Sequence, residues 1–448
     1  MKNIFRAILS VAAIFGGLNA FANSQLATTV NSSPLETSSV VAVSVKEADT
    51  GKVLYQHNER KLLHPASTLK IFTTIPAMEE LGDEYEFTTT FYTANNNLYV
   101  KAGADPFLTS TELKNAIKSI KGKGYHSFNK VYFDGSIIDN AEWGIGWMWD
   151  DTTNKRMQKF SAYNVDNNLV NIEVAKGEDG VITAKSNVPL PVINSISAGD
   201  RDDIFAVRND WISPEVILVA GSIKSPVKTV QVPLNNLKRY YQQTIMKSIK
   251  NAKITLQQPI CLEEKVPENA KVLLEIKNPV TPAYEKIFKN SDNLCAETVT
   301  KIAGGQKSGK TGSFSNQTKM FYDYWQANGV DTKGIVIADA SGVSRNNLVT
   351  VDFMTNALDK IYVNKQEQFI KDTFAQPGEG TFSNRLLNYR GYVFLKSGTL
   401  ANISGLAGYV KADNGKTYSV AILIQNFTYP ENQVKIFENR LIEEIKKL

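Results

Sequence analysis

The chain has 448 residues, 42% of them hydrophobic, and 50 Lys+Arg against 45 Asp+Glu give a formal charge of +5. That length exceeds one ordinary domain and predicts two or three, each with its own core; the basic residues form no block, so nucleic acid is not an expected partner. The three histidines, His57, His64 and His126, lack ligand spacing, and no G-x-S-x-G, Walker loop or G-x-G-x-x-G after a strand occurs, so a His-based triad, a metal centre and a nucleotide cofactor are all unexpected.

Residues 1–22 read as a secretory signal: Lys2 and Arg6 precede an apolar run, and Ala20-Phe21-Ala22 forms a small-x-small exit before Asn23. The run is too short for a transmembrane anchor, so cleavage and export are expected. Next, Val40 to Val45 alternates like a strand, turns at Asp49-Thr50-Gly51 and returns through Val53-Leu54-Tyr55. Pro65 then opens a predicted helix that carries Ser67 in its first turn and Leu69, Ile71, Phe72 and Ile75 along its length.

Residues 84–232 change character. Short apolar runs such as Val131-Tyr132-Phe133 and Val216-Ile217-Leu218-Val219 alternate with turn residues, predicting an inserted, mostly-β region of one or two lobes. Helical periodicity resumes over 234–249, with Leu237, Tyr241, Ile245 and Ile249 on one face. The chain is expected to re-enter there a domain made of residues 23–83 and 233–448. Helices are predicted near 284–302, 318–328 and 433–447, the last with a Val434, Phe437, Leu441, Ile445 stripe. Cys261 and Cys295 fit either a disulfide, which an oxidising compartment permits, or a buried thiol at Cys295.

Three motifs carry the chemistry. Ser67-Thr68-Leu69-Lys70 sets a hydroxyl and an amine one helical turn apart, so they share a face and can share a proton. A serine hydroxyl needs an adjacent base, and lysine serves once burial and neighbouring cations depress its pKa; Lys396 is a candidate cation. Ser291-Asp292-Asn293 opens a predicted helix, and Lys396-Ser397-Gly398-Thr399 ends the apolar run 391–395. A strand there offers a backbone edge to an extended peptide, with the Thr399 N–H facing that of Ser67 across a carbonyl oxygen. Decoys exist: Ser225-Pro226-Val227-Lys228 also reads S-x-x-K, but Pro226 argues for a loop, and Lys310-Thr311-Gly312 lies in a polar connection rather than on a strand.

These motifs, with Ala104-Asp105-Pro106, Ser341-Gly342-Val343-Ser344-Arg345 and Gly405-Leu406-Ala407-Gly408-Tyr409, resemble the D-alanyl-D-alanine carboxypeptidase/endopeptidases of the DacB-like, low-molecular-mass class C penicillin-binding proteins. The resemblance implies an α+β fold: a serine β-lactamase/penicillin-binding transpeptidase-like catalytic domain, its central antiparallel sheet between helices, with inserted mostly-β domains. It also implies a periplasmic enzyme of peptidoglycan stem peptides and cross-links that β-lactam antibiotics acylate. Ser67 would be the nucleophile, Lys70 its base and Ser291 a proton relay. Asn293 would hold the substrate amide. Lys396 would draw the terminal carboxylate electrostatically, with Ser397, Gly398 and Thr399 binding the substrate. Ala104 stands where the family has glycine. An esterase on the same scaffold, or a wall-binding scaffold protein with weak catalysis, are the alternatives.

For the zwitterionic far end of a diaminopimelate side chain, a carboxylate and a guanidinium are required together. Asp151, in the segment Trp147-Met148-Trp149-Asp150-Asp151, and Arg345 are the candidates, with Phe160 as an apolar wall. Asp151 also fits a helix cap, and Arg345 a structural salt bridge.

Overall fold

The computed structural model describes residues 24–209 and 213–448, so the leader expected over residues 1–22 lies outside the described residues. Among the described residues two compact units are formed: 24–79, Tyr284–Asp292 and Gln317–Leu448 make one, and Glu80–Ala283 with Asn293–Asn316 the other.

The first unit is built on a five-stranded antiparallel sheet in the order Val393–Leu400, Ile403–Lys411, Thr417–Gln425, Val40–Glu47, Val53–His57. The hairpin read from the sequence is its last pair, and Gly51 supplies the turn with φ +69°. Val40–Glu47 is buried almost throughout because helices cover both faces. On one face Val41, Val43 and Val45 share a core with Val420, Ile422 and Ile424 and with Val434, Leu441, Ile442 and Ile445 of the closing helix Glu431–Lys446. That helix spends its apolar stripe on the sheet, which removes about 25 cal/mol of cost per Å² taken from water.

On the other face lies the helix Val351–Asn364. Here the contacts are polar: Ser44 Oγ lies 2.9 Å from Thr355 Oγ1, Lys46 Nζ 2.8 Å from Asp352 Oδ1, and the Tyr409 hydroxyl donates to the Leu358 carbonyl at 2.7 Å. Alternation along one strand thus delivers an apolar face to one helix and a hydrogen-bonding face to the other.

The helix Leu69–Leu81 follows a short 3₁₀ turn, Ala66–Thr68, that begins on Pro65. Ser67 therefore sits in the 3₁₀ turn rather than in the first α-helical turn expected. The helix contains Pro76, which has no N–H for the Phe72 carbonyl four residues earlier. The Trp325 indole N–H donates to that carbonyl at 2.9 Å instead, and Trp325 and Phe353 pack edge-on and tilted against the Phe72 ring.

The second helix expectation is corrected more sharply. In place of one helix over 284–302, Thr281–Glu285 passes into a π-helical turn, Lys286–Asn290, and Ser291 takes left-handed backbone angles of φ 61° and ψ 39° before Asn293–Ser308 begins. A single left-handed residue ends a helix whatever its apolar periodicity.

The second unit holds a mixed five-stranded sheet, Cys261–Glu263, Val131–Asp134, Asn97–Lys101, Glu86–Ala94, Lys271–Pro279, and two three-stranded sheets that share an apolar core including Val170, Ile172, Val174, Ile217, Val219 and Val232. The helix Leu237–Asn251 buries Leu237, Tyr241, Ile245 and Ile249 as its periodicity requires. Its place differs from the expected return to the first domain at residue 233: it packs beside Ser110–Gly122 inside this unit, which runs on to Ala283. An amphipathic stripe reports that a helix is covered and not by which sheet. Cys261 and Cys295 are both thiols, and Cys295 is buried. No helix among the described residues is long and apolar enough to cross a membrane.

Trp325→Phe should lower unfolding free energy by about 1–2 kcal/mol, the cost of leaving the buried Phe72 carbonyl unsatisfied. In a Pro76→Ala background, where residue 76 regains its N–H, the same substitution should cost clearly less. Equal costs in both backgrounds, read from urea denaturation, would show that the indole hydrogen bond does not stand in for the missing helical one.

Candidate active site

Five of the sequence-predicted residues are gathered in the first unit by four backbone elements. The 3₁₀ turn presents Ser67, the helix after it Lys70, the left-handed break Ser291, and the edge strand Val393–Leu400 carries Lys396 and Ser397. Lys70 Nζ donates to Ser67 Oγ at 2.9 Å and to the Ser341 carbonyl at 2.7 Å. Lys396 Nζ donates to Ser291 Oγ at 2.8 Å and to the Ser397 carbonyl at 2.8 Å. Both lysines are fully buried. Each serine hydroxyl therefore has an amine at hydrogen-bond distance, the arrangement proton exchange requires.

Two glycines let the backbone close around Ser67. A Cβ on Gly398 would lie 2.8 Å from the Ser67 nitrogen and 2.9 Å from that of Thr68. One on Gly342, which has φ +79°, would lie 1.9 Å from the Ala66 carbonyl oxygen. Neither approach is open to any other residue. Ala66 itself has φ +46°, a left-handed conformation that costs an alanine about 1 kcal/mol and is held by these neighbours.

The strand's outer edge is available. Its inner edge pairs with Ile403–Lys411 in unbroken register, and the Leu395 N–H points the other way, to the Ala375 carbonyl at 3.0 Å. Alternation then turns the backbone of Ser397 and Thr399 outward as well. Thr399 is exposed, and the Ser67 N–H makes no hydrogen bond among the described residues.

Sequence reasoning missed the loop that holds Lys70. Asp339 is fully buried and accepts from the N–H groups of Gly342 at 2.9 Å and Ser344 at 2.7 Å and from Asn347 Nδ2 at 2.7 Å. This fixes the turn that aims the Ser341 carbonyl at Lys70 and sets Gly342 on Ala66. The available signal was Asp339 just ahead of Ser341-Gly342, an acidic residue placed to cap its own turn. Arg345, at the end of this loop, is half-buried, and its side chain makes no hydrogen bond or ion pair among the described residues. Its charge, after the larger effect of burial, helps to hold the His64 imidazole below its ordinary pKa.

Asn293, Asp151 and Phe160 belong to the second unit. Asn293 begins the helix Asn293–Ser308 and donates its side-chain N–H to the Arg156 carbonyl at 2.7 Å. Asp151 accepts the Met148 N–H at 3.2 Å, which is the capping use that the sequence left open. Phe160 corrects the expectation of an apolar wall: its ring is fully buried against Trp147 and Phe314, with Lys301 Nζ 5.1 Å from its centroid, and it has no face to offer a ligand. Ala104 occupies its glycine-like position with φ +53°. The decoys separate cleanly: Ser225, partly buried, gives its hydroxyl to Asp202, and Lys310 is exposed.

Gly398→Ala should leave the protein folded but slow acylation of Ser67 at least tenfold, because the strand must retreat from the Ser67 and Thr68 nitrogens. The check is the labelling rate with a fluorescent penicillin beside the melting temperature; an unchanged rate in a folded variant would mean the close approach has no bearing on the reactivity of Ser67.

The comparisons agree with this geometry. The D-alanyl-D-alanine carboxypeptidase DacB of Haemophilus influenzae is 24% identical over 91% of this chain and 91% of its own. The D-alanyl-D-alanine carboxypeptidase of Actinomadura sp. strain R39 is 25% identical over 84% of this chain and 76% of its own. The crystal structure of penicillin binding protein 4 (dacB) from H. influenzae superposes with a TM-score of 0.81 at 23% identity, covering 94% of this chain and 99% of that one, and shows that the fold is the α+β penicillin-binding fold. A family model described as D-Ala-D-Ala carboxypeptidase 3 matches residues 22–441, so the chain belongs to the D-Ala-D-Ala carboxypeptidase 3 (S13) family and is a hydrolase of that kind.

Proposed function

We propose that the chain is exported by a cleaved leader over residues 1–22 to the periplasm and there hydrolyses D-alanyl peptide bonds of peptidoglycan stem peptides and cross-links, with Ser67 as nucleophile. The observation that carries this reading is the buried Lys70 amine 2.9 Å from Ser67 Oγ. Ser67 Oγ bonds to the carbonyl carbon of the penultimate D-alanine as its proton passes to Lys70. The oxygen of the tetrahedral intermediate sits between the N–H groups of Ser67 and Thr399. The C–N bond then breaks, and the leaving amine takes the proton from Lys70 through Ser291, whose hydroxyl Lys396 holds at 2.8 Å. Water, deprotonated by Lys70, attacks the acyl-enzyme and Ser67 regains its proton.

The outward edge of Val393–Leu400 supports an extended substrate pairing as an added strand. Lys396 and Ser397 serve the terminal carboxylate, and Asn293 the substrate amide. A β-lactam enters the same steps, but its leaving amine stays tethered to the acyl group, which supports inhibition. Of the two residues considered for the diaminopimelate end, Asp151 secures its own turn, and Arg345 carries the assignment.

Ser67→Ala should abolish D-alanine release, cross-link opening and penicillin labelling together, and Lys70→Met should slow acylation about 10²–10⁴-fold, the range for loss of a general base. Product release that persists in Ser67→Ala, followed by mass, would dismiss the mechanism. Arg345→Ala should raise KM several-fold for a diaminopimelate peptide and leave it unchanged for one amidated on the side-chain carboxylate; equal changes would remove Arg345 from the site.

A further inference from the structure

The Ser397 hydroxyl does not stand alone. It donates to Thr381 Oγ1 at 2.8 Å, and Thr381 comes from a different part of the chain, the 3₁₀ turn Gly380–Phe382. Both residues are only partly buried, so solvent, and hence a ligand, reaches the pair. Resting on the peptidase reading above, we propose that Thr381 is a specificity-determining residue that pairs with the Ser397 hydroxyl and donates to substrates ending in a free carboxylate.

Three observations support it. The turn is fixed on both sides of Thr381. A Cβ on Gly380, which has φ +46°, would lie 1.9 Å from the Lys289 carbonyl oxygen, so the turn is pressed onto the segment that leads to Ser291. Phe382 is fully buried, donates its N–H to Glu379 at 2.7 Å and accepts that of Gly378 at 3.0 Å. The Thr381 hydroxyl thus has a set position rather than a mobile one.

The hydrogen-bond direction also matters. Thr381 Oγ1 accepts from Ser397, while its own hydroxyl hydrogen has no acceptor among the described residues. A hydroxyl that accepts on one side donates more readily on the other, and the ligand matching a spare donor is an acceptor. Finally, Lys396 Nζ lies against the Ser397 carbonyl at 2.8 Å, so the spare donor stands beside a buried lysine. A lysine beside one spare hydroxyl donor fits a carboxylate better than a neutral amide, which brings no charge and adds N–H donors of its own.

The test compares a peptide ending in D-alanyl-D-alanine with its C-terminal amide, each with wild type, Thr381→Val and Thr381→Ser. Valine keeps the shape and removes the hydroxyl, whereas serine keeps the hydroxyl. In Thr381→Val, kcat/KM for the free acid should fall about tenfold, mainly through KM, with little change for the amide, so that the acid-to-amide preference falls by the same factor. Thr381→Ser should retain most of that preference. An equal loss for acid and amide, or a serine variant as poor as the valine one, overturns the proposal, because either result assigns Thr381 to packing. Absence of Ser67-dependent turnover by the wild type would instead overturn the peptidase reading, and this inference with it.

Discussion

A lysine amine can be held beside a serine hydroxyl in a protein interior only if something else fixes the amine without binding its proton permanently. Dipoles supply part of this condition. Lys70 and Lys396 are each held by a serine hydroxyl and a backbone carbonyl. Elsewhere the same chain buries lysines on carboxylates, Lys46 on Asp352 and Lys301 on Asp139. A carboxylate stabilises the ammonium form strongly; a carbonyl positions the nitrogen with a smaller electrostatic commitment, which suits the proton exchange proposed for Lys70.

The rest of the first unit follows from placing those carbonyls. The Ser341 carbonyl is aimed by a loop wound around the buried Asp339, and the Ser397 carbonyl by the outward-facing positions of an edge strand. Both elements must come within backbone contact of the 3₁₀ turn that bears Ser67, and Gly342 and Gly398 are the residues that permit it. The turn pays with a left-handed Ala66, a strain that the packing on either side sustains. Serine at position 291 also lies in the left-handed region, where the helix stops and the hydroxyl meets Lys396.

Much of this was legible in the sequence because it rests on local rules. The hairpin around Gly51, the apolar stripe of the closing helix and the Ser67–Lys70 spacing each follow from a period or a turn residue. What escaped was set by contacts distant in sequence. Nothing near Ser291 signals a π-helical turn, since the apolar periodicity of 284–302 runs on through the break. The helix Leu237–Asn251 showed its buried face but not the partner that covers it. Phe160 read as a wall because an aromatic beside polar residues suits a cleft as well as a core, and only the packing of Trp147, Phe314 and Lys301 separates the two.

The same contrast explains why the decoy motifs fail. Ser225 and Lys228 have the letters of the first motif, and Lys310-Thr311-Gly312 those of the third. Yet Ser225 spends its hydroxyl on Asp202, and Lys310 is exposed to solvent. The proposed catalytic amine requires a buried position with a hydroxyl in reach, and the proposed substrate-binding strand requires an open edge next to Ser67. Those properties belong to the edge of one sheet and the turn packed against it, so a three-letter match acquires meaning only where the fold brings a second element into backbone contact. Gly398 marks that contact, because a side chain there would displace the strand from Ser67.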